Sequence, residues 1–217
     1  MTTMAQAAVQ AAIQPRRTQA QRSAESEARL LDAAAQIIAS EGYLAATLER
    51  VGERAGFSRG LASRKYGSKD GLIEAVIWRV SARVHDQVDL AVAGQDDPLD
   101  KLIALFDRFV HLVLNDISVR AYFVLFSAMI ANRLETRLVF EQVQLRFGQR
   151  VEELIVAAQC AGRISPALPV KHVSYYVGCL LAGISIETAM GAEDEVEVDP
   201  LVLRRDLGAM LRRALAG

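Results

Sequence analysis

"GFSRGLASRKYGSKDGL", residues 56–72, sets a short cationic segment between two glycine breaks. Gly56 opens a turn, and Ser58 stands where an N-cap is wanted for a helix running from Arg59 to Tyr66. Gly67 interrupts the chain again, and Ser68 starts another helix whose first residue is Lys69. A helix that only packs a core has no use for Arg59, Arg64 and Lys65 within one short span, whereas a helix that meets phosphates does. Working outward, Thr47 supplies a cap for a short upstream helix that turns Leu48, Val51 and Ala55 inward. Before it, Leu30, Leu31, Ala34, Ile37 and Ile38 recur at three- and four-residue spacing from Glu25, and Gly42 ends that helix. Two short helices joined by Gly56-Phe57-Ser58 make a helix-turn-helix.

In such a unit the second helix enters the major groove while the first crosses the backbone. Ala62 and Tyr66, four apart, share the inward face, leaving Arg59, Gly60, Ser63 and Arg64 outward. Arg59 and Arg64 are the candidates for base edges, because a guanidinium bridges guanine O6 and N7. Gly60 allows close backbone approach. Lys65 and Lys69 suit phosphate oxygens, the N–H groups behind Thr47 and Ser68 are further anion sites at helix starts, and Ser58 counts among the candidate DNA contacts.

The stretch "RLLDAAAQIIASEGYLAATLERVGERAGFSRGLASRKYGSKDGLIEAVI", residues 29–77, resembles the TetR-type transcriptional regulators. "LLDAA…EGY", Thr47, "VGERAGFSRG" and "GSKDGL" carry the resemblance, in order. It implies a homodimer on a palindromic double-stranded operator, with repression relieved when a small molecule binds the C-terminal part. Two pairs of residues depart from the family. Where it commonly has leucine-tyrosine and then histidine-phenylalanine, this chain has Ala62-Ser63 and Lys65-Tyr66, so an operator borrowed from relatives is unsafe.

The whole chain of 217 residues reads as all-α. No proline falls between Arg16 and Asp97, and the run is rich in Ala, Leu and Arg. Residues 1–22 are expected as a flexible basic arm carrying Arg16, Arg17 and Arg22. Residues 23–70 form the DNA-binding domain, a linking helix spans about 68–94, and 71–217 make a larger ligand-binding and dimerisation domain. Its helices are expected near 98–114, 118–131, 134–161, 169–191 and 200–216, with "GAEDEVEVDP" as an acidic break. Residues 1–80 hold 11 Lys/Arg against 8 Asp/Glu and residues 81–217 hold 14 against 18, a mild asymmetry that suits different partners for the two parts.

Six of the seven phenylalanines lie between Phe106 and Phe147. Phe106, Phe109 and Val113, then Tyr122, Phe126 and Met129, then Phe140, Val143, Phe147, Val151 and Leu154 run at helical spacing. Most such residues are core. An aromatic-rich helical body is also how a pocket for a largely apolar effector is built, and Phe109, Tyr122, Phe126, Phe147 and Tyr176 are its candidate lining. His85, His111 and Cys179 are weaker candidates for a polar contact. "YYVGCLLAGISIETAMG" is apolar all round, and "LVLRRDLGAMLRRALAG" has Leu203, Leu207, Met210 and Leu211 along one side. Pairing these last two helices with their copies gives an isologous four-helix interface.

No GxxxxGK[ST] or HExxH occurs, no cysteine-histidine spacing fits a metal, and neither an enzyme nor a cofactor is expected. With no secretory leader, Cys160 and Cys179 are expected as reduced thiols in a cytoplasmic protein, and "VSYYVGCLLAGISIETAM" is too short and polar for a membrane span. Two other readings stay open: a dimeric ligand-binding module without specific DNA binding, and a transcriptional activator.

Overall fold

The computed structural model describes residues 18–132, 135–190 and 199–216. Every regular element among them is helical. Helix α1 (Gln19–Glu41) is followed by a 3-10 turn (Tyr43–Ala45), α2 (Leu48–Arg54), α3 (Arg59–Tyr66) and α4 (Lys69–Ala93). The body is built from α5 (Pro98–Asn115), α6 (Ile117–Asn132), α7 (Arg137–Cys160), α8 (Val170–Met190) and α9 (Pro200–Ala216).

The capping residues fix most of these boundaries. Thr47 Oγ1 accepts from the Arg50 N–H at 3.2 Å, and Ser68 Oγ accepts from the Gly71 N–H at 3.0 Å. Asp97 caps α5, with Pro98 in the first turn where its missing N–H costs nothing. Gly56 takes a φ of 74° in the turn between α2 and α3, a conformation that a side chain makes unfavourable. Gly71 is required for space: a Cβ there would lie 2.3 Å from the Tyr66 carbonyl oxygen, so the α3–α4 corner closes only over glycine.

Two expectations are corrected. The basic arm does not extend to Arg22, because α1 already begins at Gln19. Thr18 and Gln21 form a capping box, with Gln21 N–H to Thr18 Oγ1 at 3.2 Å and Thr18 N–H to Gln21 Oε1 at 2.8 Å, and this starts the helix before the first apolar residue. Arg16 and Arg17 lie outside the described residues. Ser58 occupies the N-cap position of α3 with extended backbone, yet its side chain makes no capping hydrogen bond.

Helix α4 carries one continuous core from the N-terminal unit into the body. Its first half buries Leu72, Ile73, Val76 and Ile77 with Leu30, Ile37 and Ile38 of α1, Val51 of α2 and Ala62 of α3. Each such large aliphatic side chain contributes about 1.5–3 kcal/mol by leaving water. Its second half packs on α5 and α7. Helix α5 runs through the centre of the body, touching α4, α6, α7, α8 and α9. Helix α9 lies on α5, where the Arg204 guanidinium meets Asp107 (Nε–Oδ1 2.9 Å) and Arg212 pairs with Asp100. Helix α6 packs on α1, so the N-terminal unit rests on the body through α6 as well as α4. Among the described residues no single helix is long and apolar enough to cross a membrane; α5 and α6 pass that test only together, across an 88° bend.

Candidate nucleic-acid interface and effector cavity

Helix α3 is eight residues long and buries only Ala62 fully, with Leu61 and Tyr66 half-buried beside it. That inward set turns Ser58, Arg59, Gly60, Ser63 and Arg64 to solvent as one exposed strip. Around Gly60 a Cβ would have none of the described residues within 4 Å, so they leave its backbone open to a partner. Arg64 forms no ion pair among the described residues; its Nε points at the Gly60 carbonyl at 3.4 Å.

The other cations are already engaged. Arg59, although 73% exposed, sits between two carboxylates of α2: Nη1 is 2.7 Å from Glu49 and Nε is 2.9 Å from Glu53. Lys65 turns back to α1, with Nζ 2.9 Å from the Glu27 carboxylate and 3.4 Å from the Ser23 carbonyl. It therefore does not stand on the strip with Arg64, and a phosphate contact from it requires leaving Glu27. Lys69 lies over the Tyr43 ring, 3.9 Å from its centroid, and donates to the Leu44 carbonyl at 3.3 Å. Burial lowers its pKa, and Asp70 opposes the shift. Thr47 is exposed at the start of α2, its hydroxyl committed to the cap. Arg29 braces the turn from behind, donating to the Ala55 carbonyl at 2.6 Å and covering the Phe57 ring.

The second site is a cavity of about 480 Å³ enclosed by α4, α5, α6, α7 and α8. Its size falls within the range for small-molecule sites. Phe109 of α5, Tyr122 and Phe126 of α6 and Phe147 of α7 line it, as the sequence suggested. Their rings form a connected set, with Phe109 and Phe147 centroids 5.2 Å apart and Phe109 meeting Phe123 edge-on at 6.2 Å. Tyr122 is pushed well above the usual phenol range by burial, against a hydrogen bond from Gln144.

Tyr176 is not part of the lining. Its neighbour Tyr175 is, because one residue along a helix turns the side chain by about 100°. Tyr176 is 64% exposed and packs against Tyr175 and His172 on the outer face of α8. His85 lines the cavity beside Phe147, at 6.1 Å between centroids. Burial and then Arg146 lower its pKa, with Arg150 adding to that, while Asp89 and Asp86 oppose. Cys179 also lines the cavity, whereas His111 lies outside it, against Asn115 and Arg204.

Sequence reasoning missed the paired carboxylates Glu49 and Glu53, although their four-residue spacing on α2 was visible. It also missed Ser81, Gln144, Glu152, Lys171 and Ser174, further polar members of the cavity wall beside His85. Among the described residues no group of His, Cys, Asp and Glu could hold a metal ion.

Residues 30–76 match the family model of the bacterial regulatory proteins, tetR family. The HTH-type transcriptional regulator BetI of Burkholderia lata is 37% identical over 83 residues, covering 36% of this chain and 41% of that protein. The match thus spans less than half of the relative's length. A TetR-family regulator structure from Rhodococcus sp. aligns with 89% of this chain and 100% of its own at a TM-score of 0.73 and 21% identity. The structure of the transcriptional regulator FadR from Bacillus subtilis in complex with stearoyl-CoA aligns with 87% of this chain and 98% of its own, at a TM-score of 0.73 and 14% identity. At these identities the two structures establish the shared fold.

Proposed function

We infer, from a TetR-family N-terminal domain at residues 30–76 joined to a cavity-bearing helical body, that this protein is a ligand-responsive DNA-binding transcriptional regulator. It acts as a repressor on a palindromic operator, as a cytoplasmic homodimer. The observation that carries the reading is the double membership of α4. Leu72, Ile73, Val76 and Ile77 hold the helix-turn-helix, and Val80, Ser81, Val84 and His85 of the same helix line the cavity. A ligand that fills the cavity acts on the rod that carries α3.

On DNA, the strip of Ser58, Arg59, Gly60, Ser63 and Arg64 faces the major groove, with Arg59 and Arg64 toward base edges. Thr47 and Lys69 stand at helix starts where phosphates are met. Lys65 joins them only by giving up Glu27. The effector is largely apolar, to match the aromatic wall; the stearoyl-CoA bound by the Bacillus subtilis protein, with its long acyl chain, is consistent with that class.

The two-fold interface is formed by α8 and α9. Tyr175, Tyr176 and Ile186 of α8 and Leu201, Val202 and Met210 of α9 are apolar and uncovered in one chain. Met210 lies outside the face that α9 packs on α5, which uses Gly208, Leu211 and Leu215, so the helix has apolar residues on two sides. Such an interface spaces the two α3 helices by about one DNA turn, ~34–36 Å, or a multiple of it. Effector and operator then compete through conformation, each favouring the state it binds better.

The test is a mobility-shift titration on DNA from upstream of the gene, over a salt series. Wild type is expected to bind specifically in the range ~10⁻⁸ to 10⁻¹¹ M. Arg64→Ala is expected to lose discrimination by about tenfold or more, as one bidentate contact implies. Binding that Arg64→Ala and Arg59→Ala both leave intact would remove α3 from the interface.

A further inference from the structure

The two carboxylates on Arg59 form a built arrangement. Glu49 and Glu53 are one helical turn apart on α2 and reach the same guanidinium from one side. Gly52, between them, makes this possible: a Cβ at that position would lie 3.3 Å from the Ser58 carbonyl oxygen and 3.7 Å from the Arg59 Cα. The absence of a side chain there lets α2 approach the first residue of α3 closely enough for both acids to reach Arg59. Glu53 accepts the Nε–H hydrogen bond and Glu49 pairs with Nη1 by charge, leaving Nη2 without an ion pair among the described residues.

We propose that Glu49 and Glu53 are specificity-determining residues: they hold Arg59 as a charge-compensated, pre-oriented fork that reads a base edge and does not seek phosphate. The proposal rests on the reading of α3 as a major-groove helix. An arginine free of partners is drawn to any phosphate, a contact that carries no sequence information. With two carboxylates beside it, the local charge is negative and a phosphate oxygen is repelled. The end of the guanidinium that carries Nη1 and Nη2 makes no hydrogen bond to the described residues, and one N–H from each nitrogen gives the parallel pair that matches guanine O6 and N7. Its orientation is set before DNA arrives, so little side-chain freedom is lost on contact. Arg64, without a carboxylate partner among the described residues, has no such restriction.

The test uses the full chain. Wild type first enriches a duplex from a random-sequence pool. Wild type and the Glu49→Gln/Glu53→Gln variant are then titrated with the enriched duplex and with the unselected pool over a sodium chloride series, after thermal melts show both are folded. The variant is expected to bind the unselected pool about tenfold more tightly at low salt, with a steeper salt slope. Its preference for the enriched duplex over the pool should fall about tenfold or more. The same substitutions in an Arg59→Gln background are expected to raise pool binding by charge alone and leave the preference unchanged. A preference that survives in the variant, or that falls equally without Arg59, overturns the proposal. Wild type that enriches no duplex and binds none overturns the regulator reading and this proposal with it.

Discussion

Arg79 of α4 binds α1 at two points: its Nη2 lies 2.7 Å from the Asp32 carboxylate, and its Nη1 donates to the Ala28 carbonyl at 2.7 Å. The next residue, Val80, lines the cavity. The helix-turn-helix is therefore fastened to α4 one residue from the cavity. Arg79→Ala is expected to cost about 1–2 kcal/mol, mainly through the bond to the part-buried Ala28 carbonyl. Asp32→Asn, at a half-exposed ion pair, should cost under ~0.5 kcal/mol. A double-mutant cycle by chemical denaturation checks this. An Asp32→Asn penalty unchanged in the Arg79→Ala background would mean that the two side chains do not interact in solution.

Tyr66 carries a buried hydroxyl that meets no hydrogen-bond partner among the described residues. Burial first, and then Glu27, raise its pKa to about 12 against the pull of Arg79. Tyr66→Phe removes an unsatisfied polar group without changing shape, so a gain of about 1 kcal/mol is expected. A melting temperature clearly below wild type would show that the hydroxyl has a partner after all.

These two sites show how much the sequence discloses. The starts of α2 and α4 and the end of α3 were legible because Thr47, Ser68 and Gly67 act locally, each through bonds to neighbours within four residues. The start of α1 was legible in principle at Thr18 and Gln21, but an alanine-glutamine composition suggested a tail. The partner of Lys65 was not legible, since Glu27 stands on another helix and only tertiary packing joins them. In the cavity, Phe109 and Phe147 followed from periodicity. Tyr175 and Tyr176 could not be separated, because α8 is apolar on nearly every side and its pattern lacks a polar face to set the phase.

Gly148 lines the cavity, and the space around its missing Cβ is open. Gly148→Ala should stabilise α7 by about 0.5–1 kcal/mol, the usual gain over glycine in a helix. Gly148→Leu should keep the fold while filling part of the cavity. A neutral apolar fluorophore such as N-phenyl-1-naphthylamine is the probe, and its affinity is expected to fall about tenfold, ~1.4 kcal/mol. Unchanged probe binding in Gly148→Leu would place the apolar site elsewhere.

His85 gives the protein an acid-side sensitivity. Its folded pKa lies below the ordinary value of 6.5, first through burial. Above that ordinary value the ring is neutral in both states and adds no pH dependence. As pH falls from it toward the lowered folded value, the unfolded chain takes up the proton first, so stability declines. His111, shifted the same way by burial and by Arg204, adds to the trend. Melting temperature is therefore expected to drop on acidification below about pH 6.5, less steeply in His85→Gln. Identical pH profiles for wild type and His85→Gln would remove His85 from the account.

The most direct test of the central claim is selection of duplexes from a random-sequence pool by the full chain, with Arg59→Ala/Arg64→Ala as control. The account expects wild type to enrich a motif with two-fold symmetry, its half-sites separated by about one helical turn or a multiple of it, and the control to lose that motif. A pool that wild type leaves without any motif, or a motif that the control enriches equally well, would contradict it.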